Sequence, residues 1–303
     1  MESKNHSTEL GVAISKFLDY CDNYRNLSSY TLRNYKSDLD DFLKFLISES
    51  KTKIDDMDRS VIRKYINLLN NLDYKRSSIN RKLSVVRVFF KYISTNEDYG
   101  SRDLVFTTKS KTERSLPKVL SSNNIKDLLN SIDISDFYGI RNKTIIDIMY
   151  VTGIRVSELA SINIDDIVNS EQIKVLGKGS KFRVVYINEK SRINLQDYLK
   201  QRMKKNVNSN SLFINKYGKR LSVRSIQKII KKYGFIAGLD TSIHPHMLRH
   251  TFATQMLSNG ADLRTVQTLL GHSRIATTQI YTHVANKDME ESYFNSHPRV
   301  ETR

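Results

Sequence analysis

The sequence predicts a mainly α-helical chain with one small antiparallel β-sheet, divided into two domains. Three observations carry this expectation. Apolar residues recur at helical spacing along most of the chain, and two short alternating runs flank a Gly-Lys-Gly-Ser turn. Between a wholly helical first part and a mixed second part lies a polar, basic stretch without periodicity. A chain of 303 residues fits two domains of roughly 100–200 residues each. The expected boundaries are a first domain over 1–106, a linker over 107–118 and a second domain over 119–303.

In the first domain Leu32, Tyr35, Leu39, Phe42, Leu43 and Leu46 form a helical stripe after the capping candidates Ser28 and Ser29. Ile62, Tyr65, Ile66 and Leu69 mark a second helix. Ile79, Leu83, Val86 and Phe90 mark a third, begun by Ser77 or Ser78. Around that third helix Arg76, Arg81, Lys82, Arg87 and Lys91 are expected away from the apolar stripe. They form either a solvated face or a face laid against DNA phosphates. The linker reads Thr-Thr-Lys-Ser-Lys-Thr-Glu-Arg-Ser from Thr107 to Ser115, just before Pro117, the first of 3 prolines.

In the second domain Arg141 to Thr152 reads as a helix broken by Gly153. Gln172 to Leu176 and Phe182 to Ile187 read as strands joined by Gly177-Lys178-Gly179-Ser180. Helices follow over Val223 to Tyr233, Met247 to Leu257 and Leu263 to Leu270, the last closed by Gly271 as a C-cap.

Charge narrows the partners. With 49 Lys+Arg against 32 Asp+Glu the formal net charge is +17, which favours a polyanion such as DNA or RNA, or less often an anionic membrane surface. A single cysteine, Cys21, excludes an intrachain disulfide framework and fits a reducing compartment. Met1 to Leu10 carries no apolar signal-peptide core, and no apolar run approaches the roughly 20 residues that span a bilayer. Ile145 to Val151 is short and interrupted by Asp147. A cytoplasmic protein without membrane association is therefore expected.

Four segments carry candidate chemistry. In His244-Pro245-His246-Met247-Leu248-Arg249-His250, Pro245 suits a helix start, which puts His246 and Arg249 three apart on one face. An imidazole beside a guanidinium suits a phosphate, one moving protons and the other binding oxygens as a fork. His246 and His250 also have the spacing of zinc ligands, but no Glu stands between them and Arg249 would repel a cation. Plain structural histidines are the remaining reading. Gly153 allows a tight turn that aims Arg155 into a cleft, or Arg155 simply pairs with Glu158. Lys178 stands at a hairpin tip, able to reach a substrate or merely exposed, and the spacing of a Walker loop is missing. The last segment holds His272 and Tyr281. With 16 tyrosines in the chain, and a phenol pKa of about 10, a tyrosine nucleophile needs a nearby base and cations.

Together these segments resemble the tyrosine recombinase (phage integrase) family, and closely its Xer branch. The matching stretches are Thr152 to Leu159, Gly177 to Gly179, His246 to Thr254 and Leu270 to Val284, in the family's order and spacing. The N-terminal helices and Leu116-Pro117-Lys118 extend the likeness over nearly the whole chain. The linker departs from the family in lacking its usual extra prolines. The resemblance implies an N-terminal helical core-binding (SAM-like) domain and an α+β catalytic domain that close on DNA as a C-shaped clamp.

It also implies the roles. Tyr281 attacks the scissile phosphate, giving a 3′-phosphotyrosyl bond and a free 5′-hydroxyl. Arg155 and Arg249 bind the non-bridging oxygens, Lys178 protonates the leaving oxygen, His246 handles the proton of Tyr281 and His272 hydrogen-bonds the phosphate. No metal, ATP or other cofactor is required. The implied partners are double-stranded DNA carrying a specific recombination site, a homo- or hetero-tetramer with another recombinase, and a DNA translocase as activator. The full N-terminal domain and the Xer-like ending His297-Pro298-Arg299 favour chromosome dimer resolution over integration of a mobile element or phage. A non-catalytic DNA-binding protein is the third reading, opposed by the complete set of six catalytic residues. In the tail, Met289, Tyr293 and Phe294 form a short apolar stripe. It packs on its own domain or, as the resemblance implies, docks into a neighbouring protomer.

Overall fold

The computed structural model describes residues 8–25, 27–96, 118–169, 171–177, 181–205, 207–239, 243–271, 293 and 295–298. The chain divides into two compact units, Met1–Ser115 and Leu116–Arg303. Apart from Lys118, the expected linker lies outside the described residues.

Among the described residues, four α-helices build the first unit: α1 (Glu9–Asn23), α2 (Ser29–Ser48), α3 (Arg59–Asn71) and α4 (Arg76–Thr95). Three are started by side-chain caps that satisfy otherwise open N–H groups. The hydroxyl of Thr8 accepts from Gly11 N at 3.1 Å, that of Ser28 from Thr31 N at 3.3 Å, and the carboxylate of Asp58 from Val61 N at 2.9 Å. The fourth helix begins at Arg76 with Lys75 as its uncapped N-cap, not at Ser77 or Ser78. Their apolar stripes meet around Phe17, Phe42, Tyr65 and Phe90, with Phe42 and Tyr65 edge to face at 4.9 Å.

Lys82 corrects the expected basic face. It is 3% exposed, with its ammonium 2.7 Å from Asp41 and 3.3 Å from the fully buried Asp38. The reason is helical geometry: Lys82 follows Ile79 by three and precedes Val86 by four, so it stands on the apolar stripe. A buried ammonium there requires carboxylate partners. Lys82 is thus an interior ion-pair residue rather than a DNA-facing one.

The second unit is built on α6 (Phe137–Thr152), preceded by α5 (Ser122–Asn130) and followed by α7 (Val156–Ser161). Every residue of α6 from Thr144 to Thr152 is buried, as befits a mostly apolar helix enclosed on all sides. Next come β1 (Gln172–Leu176) and β2 (Phe182–Tyr186), then α8 (Glu189–Met203), α9 (Val223–Ile236), α10 (Pro245–Ser258) and α11 (Leu263–Leu270). The strands form a two-stranded antiparallel sheet in which Gln172 pairs with Tyr186 and Val175 with Arg183. Pro245 occupies the first turn of α10, with the His244 imidazole accepting from Met247 N at 3.3 Å. Gly271 caps α11 at φ 65°.

Tyr293, Ser296 and His297 pack on this same unit. Tyr293 is 1% exposed and joins Phe252, Leu269 and Leu270 in a satellite core. Its ring stacks on His297 at 5.2 Å, and Asn259 Nδ2 donates to Ser296 O at 2.9 Å. Tyr293 is therefore an interior residue of its own unit, the first of the two readings its apolar stripe allowed. Met289 and Phe294 lie outside the described residues. Among the described residues no helix is long and apolar enough to cross a membrane.

Candidate active site

The site is organised by three arginines at the C-terminal end of α11. Helix ends leave carbonyls without intrahelical partners. Here each of three successive carbonyls accepts from a different guanidinium: Leu269 O from Arg183 Nε at 3.1 Å, Leu270 O from Arg249 Nη2 at 2.8 Å, and Gly271 O from Arg155 Nη2 at 3.4 Å. The partial negative charge of a helix C-terminus favours cations there.

Local sequence explains each placement. Gly153 ends α6 in the left-handed conformation at φ 60°. Its carbonyl accepts from Arg249 Nη1 at 2.7 Å. No larger residue fits, because a Cβ would lie 2.5 Å from Phe252 Cδ1. Arg155 is the N-cap of α7, and its backbone N–H donates to Glu158 Oε2 at 2.8 Å. That short helix brings Glu158 back beneath Arg155, where Arg155 Nη1 reaches Glu158 Oε1 at 2.9 Å. The pairing weighed from sequence is thus present, and it holds the guanidinium in place while leaving it one-third exposed.

Glu158 is the anion that holds the cluster. Its carboxylate is 4% exposed and also takes a two-pronged contact from Arg183, at 3.0 Å and 2.9 Å. Burial pushes its pKa up, but the hydrogen bonds and charges of Arg183 and Arg155 prevail and hold it below the usual carboxylate value. Arg249 is 8% exposed; burial first, and then the charge of Arg155, bring its pKa down to about 10. It remains a cation at neutral pH. Three guanidiniums against one carboxylate leave the cluster with excess positive charge, suited to an anion with several oxygens such as a phosphodiester. Carbonyls occupy two of the five N–H donors of Arg249, so others remain for a ligand.

Of the six expected catalytic residues, Arg155 and Arg249 are thereby brought together. His246 lies exposed in the first turn of α10, three residues before the buried Arg249. Lys178, His272 and Tyr281 lie outside the described residues, though each follows a described segment: Gly177 adjoins Arg183, and Gly271 ends α11. Among the described residues no group of three His, Cys, Asp or Glu side chains could hold a metal ion, and His246 and His250 gain no third ligand. In the first unit Arg76 and Lys91 are exposed and Arg87 is half-buried. Arg81 is 49% exposed and pairs with Asp38.

Sequence reasoning passed over Arg183. Its signal was the register of the hairpin: Ile173 and Val175 alternate inward, and Arg183 faces Val175 across the pair. An inward-pointing arginine implies a buried carboxylate, and Glu158 supplies it.

Such a basic, mainly helical chain, with three arginines converging on one helix end, has the makings of a protein that works on a nucleic-acid backbone. Residues 14–96 match the phage integrase N-terminal SAM-like domain, and residues 118–288 match the phage integrase family. The chain belongs to the phage integrase family of tyrosine recombinases, enzymes that cut and rejoin DNA through a phosphotyrosine bond. It is 37% identical to the tyrosine recombinase XerD of Staphylococcus saprophyticus, over 95% of this chain and 99% of that protein. It is also 37% identical to the tyrosine recombinase XerC of Staphylococcus epidermidis, over 91% of this chain and 94% of the relative. Among solved structures it is similar to the XerH site-specific recombinase bound to its difH substrate before cleavage. That likeness has a TM-score of 0.68 and 26% identity, over 92% of this chain and 83% of the other. A λ integrase tetramer bound to a Holliday junction shares the fold, with a TM-score of 0.70 at 16% identity, over 91% of this chain and 77% of that one.

Proposed function

We propose that this recombinase resolves chromosome dimers by site-specific strand exchange at a recombination site in double-stranded DNA. The observation that carries the chemistry is the convergence of Arg155 and Arg249 on the end of α11, just before the segment holding His272 and Tyr281. Two guanidiniums can neutralise the charge that grows on a pentavalent phosphorus without help from a metal. In this reading Tyr281 attacks phosphorus, the phosphotyrosyl bond forms as the bond to the 5′-oxygen breaks, and Lys178 protonates that oxygen. His246 takes the phenol proton and His272 hydrogen-bonds the phosphate. Residues 1–106 bind the core of the site, with Arg76, Arg81, Arg87 and Lys91 toward the phosphates, and residues 119–303 carry the catalysis. The likeness to XerC and XerD relatives supports assembly with further recombinase protomers, in a homo- or hetero-tetramer. A DNA translocase as activator and a cytoplasmic location belong to the same reading.

A nicked suicide substrate tests it. Wild-type protein should be trapped covalently on denaturing gels, with or without EDTA, while Tyr281→Phe binds the DNA and traps none. Trapping by the Phe variant would move the nucleophile elsewhere. Loss of cleavage in EDTA, restored by a divalent metal, would refute the metal-independent mechanism.

A further inference from the structure

We infer that Arg183 is a positioning residue for strand cleavage: one guanidinium that sets the geometry of three catalytic segments at once. The inference rests on the reading of Arg155 as a phosphate ligand and goes beyond it.

Three observations converge on this side chain. Its two-pronged contact with Glu158 shares the carboxylate that holds Arg155, so the two arginines are fixed relative to one another. Its Nε holds the Leu269 carbonyl at 3.1 Å, which anchors the last turn of α11 before His272. Both flanking glycines lie against it. A Cβ on Gly271 would meet Arg183 Nη1 at 3.0 Å and Cζ at 3.1 Å, and a Cβ on Gly177 would meet Nη1 at 3.4 Å. Gly177 immediately precedes Lys178, and Gly271 immediately precedes His272. Arg183 therefore touches the neighbours of Arg155, Lys178 and His272, yet its own side chain is only 15% exposed.

The charge balance adds a direction. With Arg183 present, Glu158 is shared between two guanidiniums and Arg155 keeps donors for a ligand. Without Arg183, the buried carboxylate falls to Arg155 alone, drawing that guanidinium inward. Lysine cannot replace the contact, since one ammonium cannot reach both carboxylate oxygens and Leu269 O in the same plane.

Single-turnover cleavage of a suicide substrate at saturating protein, in a double-mutant cycle of Arg183→Met and Arg155→Lys, tests this. Arg183→Met should bind single-site DNA within about twofold of wild type but cleave roughly 100-fold more slowly, the scale of loss from misplaced reacting groups. In the Arg155→Lys background the same change should cost far less, because the residue it positions is already altered. If Arg183→Met loses DNA binding through misfolding, Arg183→Lys takes its place in the cycle, with the same non-additivity expected. Wild-type cleavage by the Arg183 variant, or a loss that multiplies in full with that of Arg155→Lys, overturns the positioning role alone. Wild-type cleavage by Arg155→Lys overturns the phosphate role of Arg155 and the positioning role with it.

Discussion

Arg249 donates to the carbonyl of Leu270 at 2.8 Å, joining α10 to the end of α11 across 21 residues of sequence. Its other terminal nitrogen holds Gly153 O at 2.7 Å. One buried guanidinium thus ties together the turn before Arg155 and the helix end before His272. Its position depends on the backbone at Gly153.

Gly153→Ala should therefore destabilise the second unit by about 3 kcal/mol. The left-handed backbone costs an L-residue about 1 kcal/mol, and the new methyl, 2.5 Å from Phe252 Cδ1 and 2.8 Å from Leu270 Cδ2, adds overpacking of about 2 kcal/mol. Urea unfolding measures it, and an unchanged midpoint would refute the close packing.

Glu158→Gln keeps the shape of the side chain and removes its charge. Leaving the guanidiniums of Arg183 and Arg155 without their anion, whose own site is buried, should cost about 3 kcal/mol. Because the folded pKa of Glu158 lies below its ordinary value, its contribution is fully present above pH 4.5 and is lost as pH falls through the lowered folded value. The difference in stability between wild type and Glu158→Gln should shrink across that acid range and stay flat above it. Unfolding free energies measured between about pH 3 and 7 decide this; a gap that widens on acidification contradicts the ion-pair role.

Lys82→Met separates interior from surface cations. It should cost about 2 kcal/mol, since Asp38 keeps Arg81 while Asp41 loses a partner. DNA affinity and its salt slope should not change. Arg76→Ala and Lys91→Ala should each reduce that slope by roughly one phosphate contact. A reduced slope for a folded Lys82→Met protein would return Lys82 to the DNA-facing set.

Tyr293→Ala removes a large interior ring and should cost about 3 kcal/mol, read from denaturant unfolding. A change in cooperative assembly without loss of stability would instead assign the ring to a neighbouring protomer.

Much of this fold was legible in the sequence because its signals are local. The Ser28 cap of α2, the hairpin strands and the Gly271 stop of α11 all stand where spacing put them. Helix α1 was readable too, in Thr8 followed by Leu10, Ala13, Ile14, Phe17 and Cys21, but was not drawn out. Helix α8 gave little signal: its sequence is mostly polar, and only Leu195 and Tyr198 form a buried apolar pair. In the site, Arg155 and Arg249 were found through motifs. Arg183 and the three carbonyls it helps to occupy depend on contacts 86 and 25 residues apart, which no local pattern encodes. Lys82 misled because a basic residue was read as surface without asking which side of the helix it stands on.

The packing of Tyr293 has a geometric consequence for Tyr281, the proposed nucleophile. Leu270, just before Gly271, and Tyr293 belong to one apolar cluster, so the stretch holding Tyr281 leaves this cluster and returns to it. Between positions 271 and 281 a fully extended chain spans at most about 36 Å, and from 281 back to 293 at most about 43 Å. The tyrosine is on a leash with both ends tied to one post. A phosphodiester beyond the shorter length plus the length of the tyrosine side chain is out of its reach, whichever subunit's arginines hold it. Any arrangement in which one protomer lends its tyrosine to another must therefore bring the second arginine cluster inside that radius.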